Sequence, residues 1–518
     1  MAGASETSRA SRAPAQPEPL HGAKLFLAGF GLALANFVVV LDTSIANVSV
    51  PHIAGGLGIS PSQGTWVITS YAVADAISVP LTGWLAKRFG TVRSFVMALI
   101  GFGIFSMLCG MASSLGMLVL CRVLQGFSGG PLMPLSQTLL MRVFPREKAG
   151  LALGLWAMTT VCAPILGPIL GGSISDTWGW PWIFFINLPV VGLCIFLALR
   201  LTAPFETRTE RPRFDAIGLA LLVIWVGAFQ FVLDFGREQD WFSSPLVIAM
   251  AIVAAIGFAL FLIWELTDSA PIVDLSVLRN RGFAAAATTM AVGYGTLFSM
   301  IVLVPLWLQN IVGYTATQAG HVTAFMGMFA VVLSPVVGQL ATRLDIRALI
   351  CAGIAWLGIT SLMRAGWTAD ADFWTLAMPQ ILQGLGMPFF FVGVTTLALS
   401  SVSAAETASA AGLLSFMRTA SGAIGASVAQ TLWDDGTRAS RVALAGRLNG
   451  PDQAMAMMQE AGLSLEQARA ALSRMVEVQA STLAVNHVFF TGGLLFACAA
   501  AIVWLAPRPT RLAGGGGH

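Results

Sequence analysis

The stretch KLFLAGFGLALANFVVVLDTSIANVSVP, from Lys24 to Pro51, carries a single acidic residue, Asp42, within a long run of apolar and small side chains. About 20 predominantly apolar residues are enough for a helix to cross a bilayer. An ionised carboxylate inside such a helix costs about 2.5 to 3.5 kcal/mol on insertion scales, so it is expected to face a cavity, a cation or a proton. The stretch therefore predicts a spanning helix with a functional acid. The alternative is a structural acid that bonds only its neighbours Thr43, Ser44 or Asn47.

Composition sets the scale of the protein. Of 518 residues, 56% are apolar and 10% are charged, whereas soluble domains are about a quarter charged. This excludes a soluble globular class, and the apolar residues suffice for roughly fourteen spans. The net charge of +3 gives no argument for nucleic-acid binding. The six cysteines stand singly, without metal-ligand spacing, so we predict neither a metal site nor a cofactor.

Apolar runs bounded by Gly, Pro and charge predict an all-α membrane protein with spans in groups of six, two and six. The predicted spans are 24–48, 63–86, 93–113, 115–141, 149–173 and 181–201, then 215–234 and 245–266, then 283–310, 318–342, 346–366, 372–399, 408–433 and 484–506. The corresponding divisions are a tail at 1–23, a half at 24–203, a linker with two extra spans at 204–270, a half at 271–507 and a tail at 508–518.

The distribution of basic residues predicts which ends of the spans face the cytoplasm. With the N-terminus inside, nineteen of the 28 Lys and Arg residues fall in inner segments, whereas the short outer loops hold only Arg237 and Arg364. Basic residues concentrate in cytoplasmic loops, and long loops are exempt from the rule. Both termini are therefore predicted to be cytoplasmic, with one long outer loop at 434–483.

The two groups of six repeat each other. GWLAKRF at Gly83 to Phe89 recurs as GQLATRL at Gly338 to Leu344, 255 residues on. LQG at Leu124 to Gly126 recurs at Leu382 to Gly384, and Gly167 matches Gly425, both with an offset of 258. Parallel repeats of this kind predict two pseudo-symmetric halves related by an axis along the membrane normal.

Four stretches together resemble the fourteen-span drug:proton antiporter family of the major facilitator superfamily, and within it the EmrB-type multidrug exporter subunits. They are LDTSIANVSVP at Leu41 to Pro51, QGTWVITSYAVADAISVPLTGWLAKRFG at Gln63 to Gly90, RVLQGFSGGPLMPLSQ at Arg122 to Gln137, and APILGPILGGSISDTWGWPWIFFINLP at Ala163 to Pro189. The resemblance covers nearly the whole chain. It implies a proton-driven exporter of the inner membrane that acts by alternating access.

The resemblance also implies roles for individual residues. It assigns proton coupling to Asp42 and to Arg122, whose motif Gln125 and Gly126 complete. Asp75, in the second span, is a candidate second proton site or partner of a cationic drug, and the alternative is a solvated cavity wall. A purely structural role is the alternative for Arg122. Further substrate-cavity candidates are Asn47, Gln125, Gln137 and Arg418.

Two glycine-rich motifs complete the resemblance. Gly167, Pro168, Gly171 and Gly172 match the antiporter motif of the fifth span, where proline and glycine favour a bendable, closely packed helix. The loop from Gly83 to Arg93 resembles the cytoplasmic gate, with Gly83, Arg88 and Gly90 retained. Lys87 stands where an acid is expected, so the usual latch is in doubt.

Within the outer loop, Ser464 and Gln467 form a capping box that predicts a helix from Ser464 to Gln479. Its apolar face is expected to contact a partner or the protein's own outer surface. The resemblance implies a periplasmic adaptor and an outer-membrane channel as partners, with small-molecule drugs as substrates. The alternatives are export of an endogenous lipid, fatty acid or siderophore and, remotely, a polytopic membrane enzyme, for which the scattered histidines give no catalytic cluster.

Overall fold

The computed structural model describes residues 20–508 except 146–147, 211–212, 238, 269–270, 404 and 448–450. Every regular element in these residues is a helix, so the predicted all-α class is confirmed. The predicted tails at 1–23 and 508–518 lie outside the described residues apart from 20–23 and 508.

Eight principal helices make up the region of the first predicted half. They are α1 (Gly22–Leu57), α2 (Trp66–Ser78), α3 (Thr82–Phe89), α4 (Thr91–Gly110), α5 (Leu115–Gly129), α6 (Leu132–Val143), α7 (Ala149–Thr177) and α8 (Asn187–Leu201). A short 3₁₀ turn at Val79–Leu81 separates α2 from α3. Pro80 lies in this turn, where its missing N–H cannot support a continuous α-helix.

Nine further helices follow. They are α9 (Ala216–Phe235), α10 (Pro245–Thr267), α11 (Arg281–Trp307), α12 (Ala316–Arg343), α13 (Ile346–Arg364), α14 (Phe373–Ser400), α15 (Thr407–Ala445), α16 (Pro451–Glu460) and α17 (Leu465–Ile502). Polar side chains fix where several of them begin, because they satisfy free N–H groups of the first turn. Asn280 accepts from Gly282 and Phe283, and Thr315 with Gln318 forms a capping box at the start of α12.

Eleven stretches among the described residues are long and apolar enough to cross a membrane. The other three predicted spans correspond to helical segments that do not meet that measure: the interrupted pair α2 and α3, α7, and α15. Many spans are thus confirmed, whereas the count of fourteen stays a prediction.

The repeat seen in the sequence has a packing counterpart. A Cβ added to Gly126 on α5 would overlap the carbonyl oxygen of Tyr71 on α2, and one added to Gly384 on α14 would overlap that of Met326 on α12. The two carbonyls are 255 residues apart and the two glycines 258. Small residues let helices approach closely in a membrane, and here the same approach occurs in both halves.

The segment 434–483, predicted as an outer loop with one internal helix, is largely helical. Helix α15 continues through Trp433 to Ala445, and the helix predicted to end at Gln479 begins with the expected Ser464 and Gln467 capping box but continues as α17 to Ile502. Arg441 and Glu477 join the two extensions by a salt bridge of 3.4 Å. The last two predicted spans, 408–433 and 484–506, are therefore each extended by a continuous helix into the segment between them.

The two halves contact each other through small residues at the ends predicted to be cytoplasmic. A Cβ on Gly412 of α15 would come within 3.1 Å of the Val79 carbonyl oxygen, and one on Gly154 of α7 within 2.6 Å of that of Ser334 on α12. Ser409 packs directly on Gly83. These contacts bring the two helix bundles together on one side.

Candidate functional site

Asp42 forms the centre of a buried polar cluster in the first half. Its carboxylate accepts hydrogen bonds from Arg122 Nη1 at 2.7 Å, from Gln125 Nε2 at 3.1 Å and from Asn187 Nδ2 at 2.6 Å. Asp42 is 2% exposed, and its three partners are fully buried. The partners come from α5 and α8, not from the neighbouring residues of α1. A purely local hydrogen-bonded acid is therefore not what the structure shows.

Arg122 makes further contacts through Nη1 and Nε within the same cluster, whereas its Nη2 has no hydrogen-bond partner among the described residues. Nη1 also donates to Gln125 Oε1 at 2.8 Å, and Nε donates to the carbonyl oxygen of Val67 at 3.2 Å. The guanidinium lies 4.1 Å from the centre of the Tyr71 ring, an arrangement that stabilises a desolvated cation. A buried guanidinium keeps its charge, so it provides a permanent counterion to Asp42.

Asn187 was missed by the sequence analysis. It begins α8, donates to Asp42 and also donates to Ser106 Oγ at 3.0 Å. The available signal was one amide side chain in the apolar stretch from Ile183 to Pro189. Its partner lies on a helix far away in the chain, which no spacing rule connects to it.

The second half repeats the framework of this cluster without its acid. Ser361 donates to the Phe489 carbonyl at 2.7 Å, as Ser106 does to Phe184 at 2.9 Å. The residue 258 positions after Asp42 is Met300, whose thioether contacts Ser361. The coupling candidate is thus confined to the first half.

Arg364 was predicted to lie in a short outer loop, and this prediction is wrong. It ends α13 with 1% exposure. Its guanidinium donates to Gln380 and Gln383 and to the Pro379 carbonyl. Gln380 and Gln383 of α14 stand at the repeat positions of Arg122 and Gln125 of α5. In the second half the buried cation is therefore Arg364 of the neighbouring helix α13, and all its acceptors are neutral.

Arg418 lies where the two halves meet, near enough to Asp75 to act on its charge. Arg418 on α15 is 5% exposed and acts electrostatically on Asp75, which is partly buried on α2. The guanidinium contacts the Met133 sulfur and lies over the rings of Trp156 and Tyr294 at 5.4 and 5.7 Å. These two candidates therefore share one region between the halves.

The remaining cavity candidates lie apart from this region. Asn47 is exposed on α1 and makes no contact with the Asp42 cluster, whereas Gln137 is 2% exposed and its Oε1 has no hydrogen-bond partner among the described residues. No hydrogen bond joins either residue to Asp42 or Asp75 among the described residues.

The predicted antiporter motif lies on α7 against α1. A Cβ on Gly167 would overlap Ser44, and one on Gly171 would come within 3.0 Å of the Ile45 carbonyl. Gly172 has open space around it. The backbone of Pro168 continues the same helix. The motif thus brings α7 onto the helix that carries Asp42.

The gate loop is held by acids from two linkers. Lys87, at the end of α3, pairs with Asp274 at 3.9 Å, and Gly90 turns the chain with a φ of +92°. Glu206 accepts hydrogen bonds from the N–H groups of Val92 and Arg93 at 3.0 and 2.9 Å and thereby caps α4. Arg88 lies in the last turn of the same helix, α3. Acids therefore do contact the predicted gate loop, but they come from outside its motif.

We expect Glu206→Ala to lower the free energy of unfolding by about 1 kcal/mol, because it removes the cap of α4. Lys87→Gln is the matched control and should cost less, since a half-exposed ion pair contributes little. Thermal unfolding of both variants in detergent measures the difference. Equal midpoints would contradict the capping role of Glu206.

A cleft of about 570 Å³ lies between the halves away from the packed ends. Cys162 and Leu166 of α7 line one wall, and the opposite wall is formed by α12 and α14 with His321, Phe325, Phe373 and Trp374. The wall is almost entirely apolar. The two halves thus pack through small residues at one end, and an apolar cleft lies between α7 and the pair α12 and α14.

The family model described as Major Facilitator Superfamily matches residues 32–426. The chain belongs to this superfamily. It is 44% identical to the multidrug export protein EmrB of Escherichia coli strain K12, over 97% of this chain and 99% of that one. It is 42% identical to the fatty acid resistance protein FarB of Neisseria gonorrhoeae, over 96% and 99% of the two chains.

Solved structures of the superfamily share the fold. The proton:xylose symporter XylE aligns with a TM-score of 0.59 at 12% identity, over 94% of this chain and 97% of that one. The human organic anion transporter MFSD10 aligns with a TM-score of 0.56 at 13% identity, over 93% and 100%. The predicted EmrB-type recognition is confirmed: the chain is a multi-pass membrane protein of the Major Facilitator Superfamily that is similar over nearly its whole length to multidrug export proteins named EmrB.

Proposed function

We propose that the protein is a proton-coupled antiporter that exports hydrophobic or amphipathic toxic compounds by alternating access. The observation that carries this proposal is the buried ion pair between Asp42 and Arg122. The Asp42 carboxylate accepts hydrogen bonds there from the guanidinium of Arg122 and from two side-chain amides, those of Gln125 and Asn187. All four side chains are buried. Proton binding to Asp42 would remove one charge of the pair and leave Arg122 without its counterion.

The loss of that pairing supplies a reason for a change of shape. A buried cation without an acceptor is strongly unfavourable, so Arg122, Gln125 and Asn187 would rearrange when Asp42 is protonated. These residues belong to α5 and α8 and reach α1 through their hydrogen bonds to Asp42. Each charge that crosses the membrane field contributes about 2.3 kcal/mol per 100 mV, which can drive the rearrangement in one direction.

The arrangement of the halves supports alternating access. Small residues pack the ends predicted to be cytoplasmic, and the apolar cleft lies between α7 and the pair α12 and α14, away from those ends. We assign this arrangement to an outward-facing state with fourteen spans as 6 + 2 + 6 and both termini inside. Asp75 and Arg418 then lie between the halves, where a cationic substrate would compete with Arg418 for the acid.

The helical extensions of α15 and α17 suit a tripartite assembly. They project beyond the predicted spans and expose Val442, Leu465 and Met475. We assign the binding of a periplasmic adaptor, and through it an outer-membrane channel, to this hairpin.

Asp42→Asn tests the proposal. In inverted vesicles with an acidic interior, drug addition should alkalinise the lumen for the wild type and cause no proton movement in the variant, because the amide cannot take up the coupling proton. Drug binding should survive, since the amide retains the shape of the side chain. Asp435→Asn, at an exposed acid on α15, is the control and should behave as wild type. Unchanged proton efflux in Asp42→Asn would refute the coupling role.

A second candidate is export of fatty acids. The 42% identity to a protein named for fatty acid resistance favours it, and the apolar cleft suits an acyl chain. A panel of cationic drugs and long-chain fatty acids in the same vesicle assay distinguishes the two substrate classes.

A further inference from the structure

Two carboxylates meet where the inner linker joins the two extra helices. Asp215 caps α9: its Oδ1 accepts from the Gly218 N–H at 2.7 Å, and Trp264 Nε1 donates to both of its oxygens at 3.0 and 3.1 Å. Glu265, near the end of α10, accepts from the Val273 N–H through Oε2 at 3.1 Å. Asp215 is 7% exposed and Glu265 4%. Neither acid belongs to the Asp42 cluster.

The second oxygen of Glu265 has no partner. Oε1 is buried and accepts no hydrogen bond from the described residues. A Cβ added to Gly218 would contact both this oxygen and Asp215 Oδ2, so the unpartnered oxygen and the neighbouring carboxylate face the same small space. The other charged groups that act on Glu265 are Asp268 and Asp274, which are also acidic.

One proton accounts for this arrangement. Two adjacent buried carboxylates cannot both remain ionised, because their repulsion is not screened by water. A buried acceptor without a hydrogen bond is itself unfavourable. A proton on Glu265 Oε1, donated to Asp215 Oδ2, removes one charge and satisfies the unpartnered oxygen. The Trp264 and Gly218 donors favour the remaining charge on Asp215.

The pair connects the two linkers that contact the gate. The linker before Asp215 reaches α3, where the Glu210 N–H donates to the Lys87 carbonyl at 2.8 Å. In the linker that follows α10, the Val273 N–H donates to Glu265, and the next residue, Asp274, pairs with the Lys87 side chain. Both connections therefore end on Lys87.

We propose that Asp215 and Glu265 bind one proton between them and form a proton-sensitive clamp on the cytoplasmic gate. At low cytoplasmic pH the shared proton holds the two linkers together and the gate stays closed. At higher pH its loss places two negative charges side by side, and the linkers separate. The cytoplasmic placement and the gating consequence rest on the proposed function, whereas the shared proton does not.

Infrared spectroscopy of the full-length protein tests the shared proton. The C=O stretch of a protonated carboxyl should be present at neutral pH, disappear in Glu265→Gln and persist in Asp268→Asn, the control at a neighbouring acid. Asp42→Asn should keep the band, so failure of the antiport mechanism is separable from failure of this site. If Glu265→Gln does not fold, Asp215→Asn should shift the band, because it replaces the acceptor. A band unaffected by either variant would overturn the proposal.

The gate is tested by the pH dependence of transport. In inverted vesicles the cytoplasmic face is the bath, and wild-type drug uptake should change with bath pH at a fixed pH difference across the membrane. Glu265→Gln should flatten this dependence and hold uptake near the wild type's low-pH level at every bath pH, because the amide mimics the protonated acid that keeps the gate closed. A profile identical to that of the wild type would exclude the clamp.

Discussion

Arg122→Met is expected to lower the free energy of unfolding by about 3 to 5 kcal/mol, the usual cost of leaving one buried charge of a pair without its partner. The variant strands the ionised Asp42 among Gln125 and Asn187, which provide only neutral donors. Denaturant or thermal unfolding in detergent measures the loss. The double variant with Asp42→Asn should recover much of it, because the stranded charge is then removed.

Arg364→Met is the matched control, because Arg364 is equally buried in the other half but meets only neutral acceptors. Its removal leaves no unpaired charge, so the variant should lose clearly less stability than Arg122→Met. Equal losses in the two variants would show that packing, and not the ion pair with Asp42, determines the effect.

Gly126→Val should destabilise the protein by about 3 kcal/mol, the upper end of the usual cost of overpacking. The added side chain would overlap backbone, the Tyr71 carbonyl on α2, which cannot move as a flexible side chain could. Gly384→Val should behave alike, because its added side chain would meet the Met326 carbonyl in the same way.

Gly192→Val is the control for both substitutions, since Gly192 on α8 has open space around it. The unfolding midpoints of the three variants in detergent give the comparison. A loss at Gly192 as large as at Gly126 would mean that β-branching in a helix, and not close contact between helices, causes the effect.

The sequence predicted individual residues of the site better than the contacts between them. Asp42 and Arg122 stood out because a charge within an apolar run is expensive, and the structure places them 2.7 Å apart. Asn187 and Asp274 gave no such signal, because one is neutral and the other lies in a polar linker. Arg364 was misplaced for a related reason: an arginine at the end of an apolar run looks the same whether it faces water or turns inward.

Helix ends show a similar division. The capping box of Ser464 and Gln467 fixed the start of α17 because it is a local pattern. The continuation of α15 and α17 through segment 434–483 was missed, because hydropathy falls where a helix leaves the membrane although its hydrogen bonds continue.

The amino-acid order alone determined the membrane class, the two related halves and the presence of a costly acid and a permanent cation, because composition, periodicity and repeat spacing are local properties of the chain. The tertiary structure decided that Asp42, Arg122, Gln125 and Asn187 form one cluster, that Asp274 and Glu206 contact the segment from Gly83 to Arg93, and that Glu265 lies beside Asp215. Each of these contacts joins residues far apart in the chain. They depend on which helices pack together, and a local sequence pattern carries no information about that.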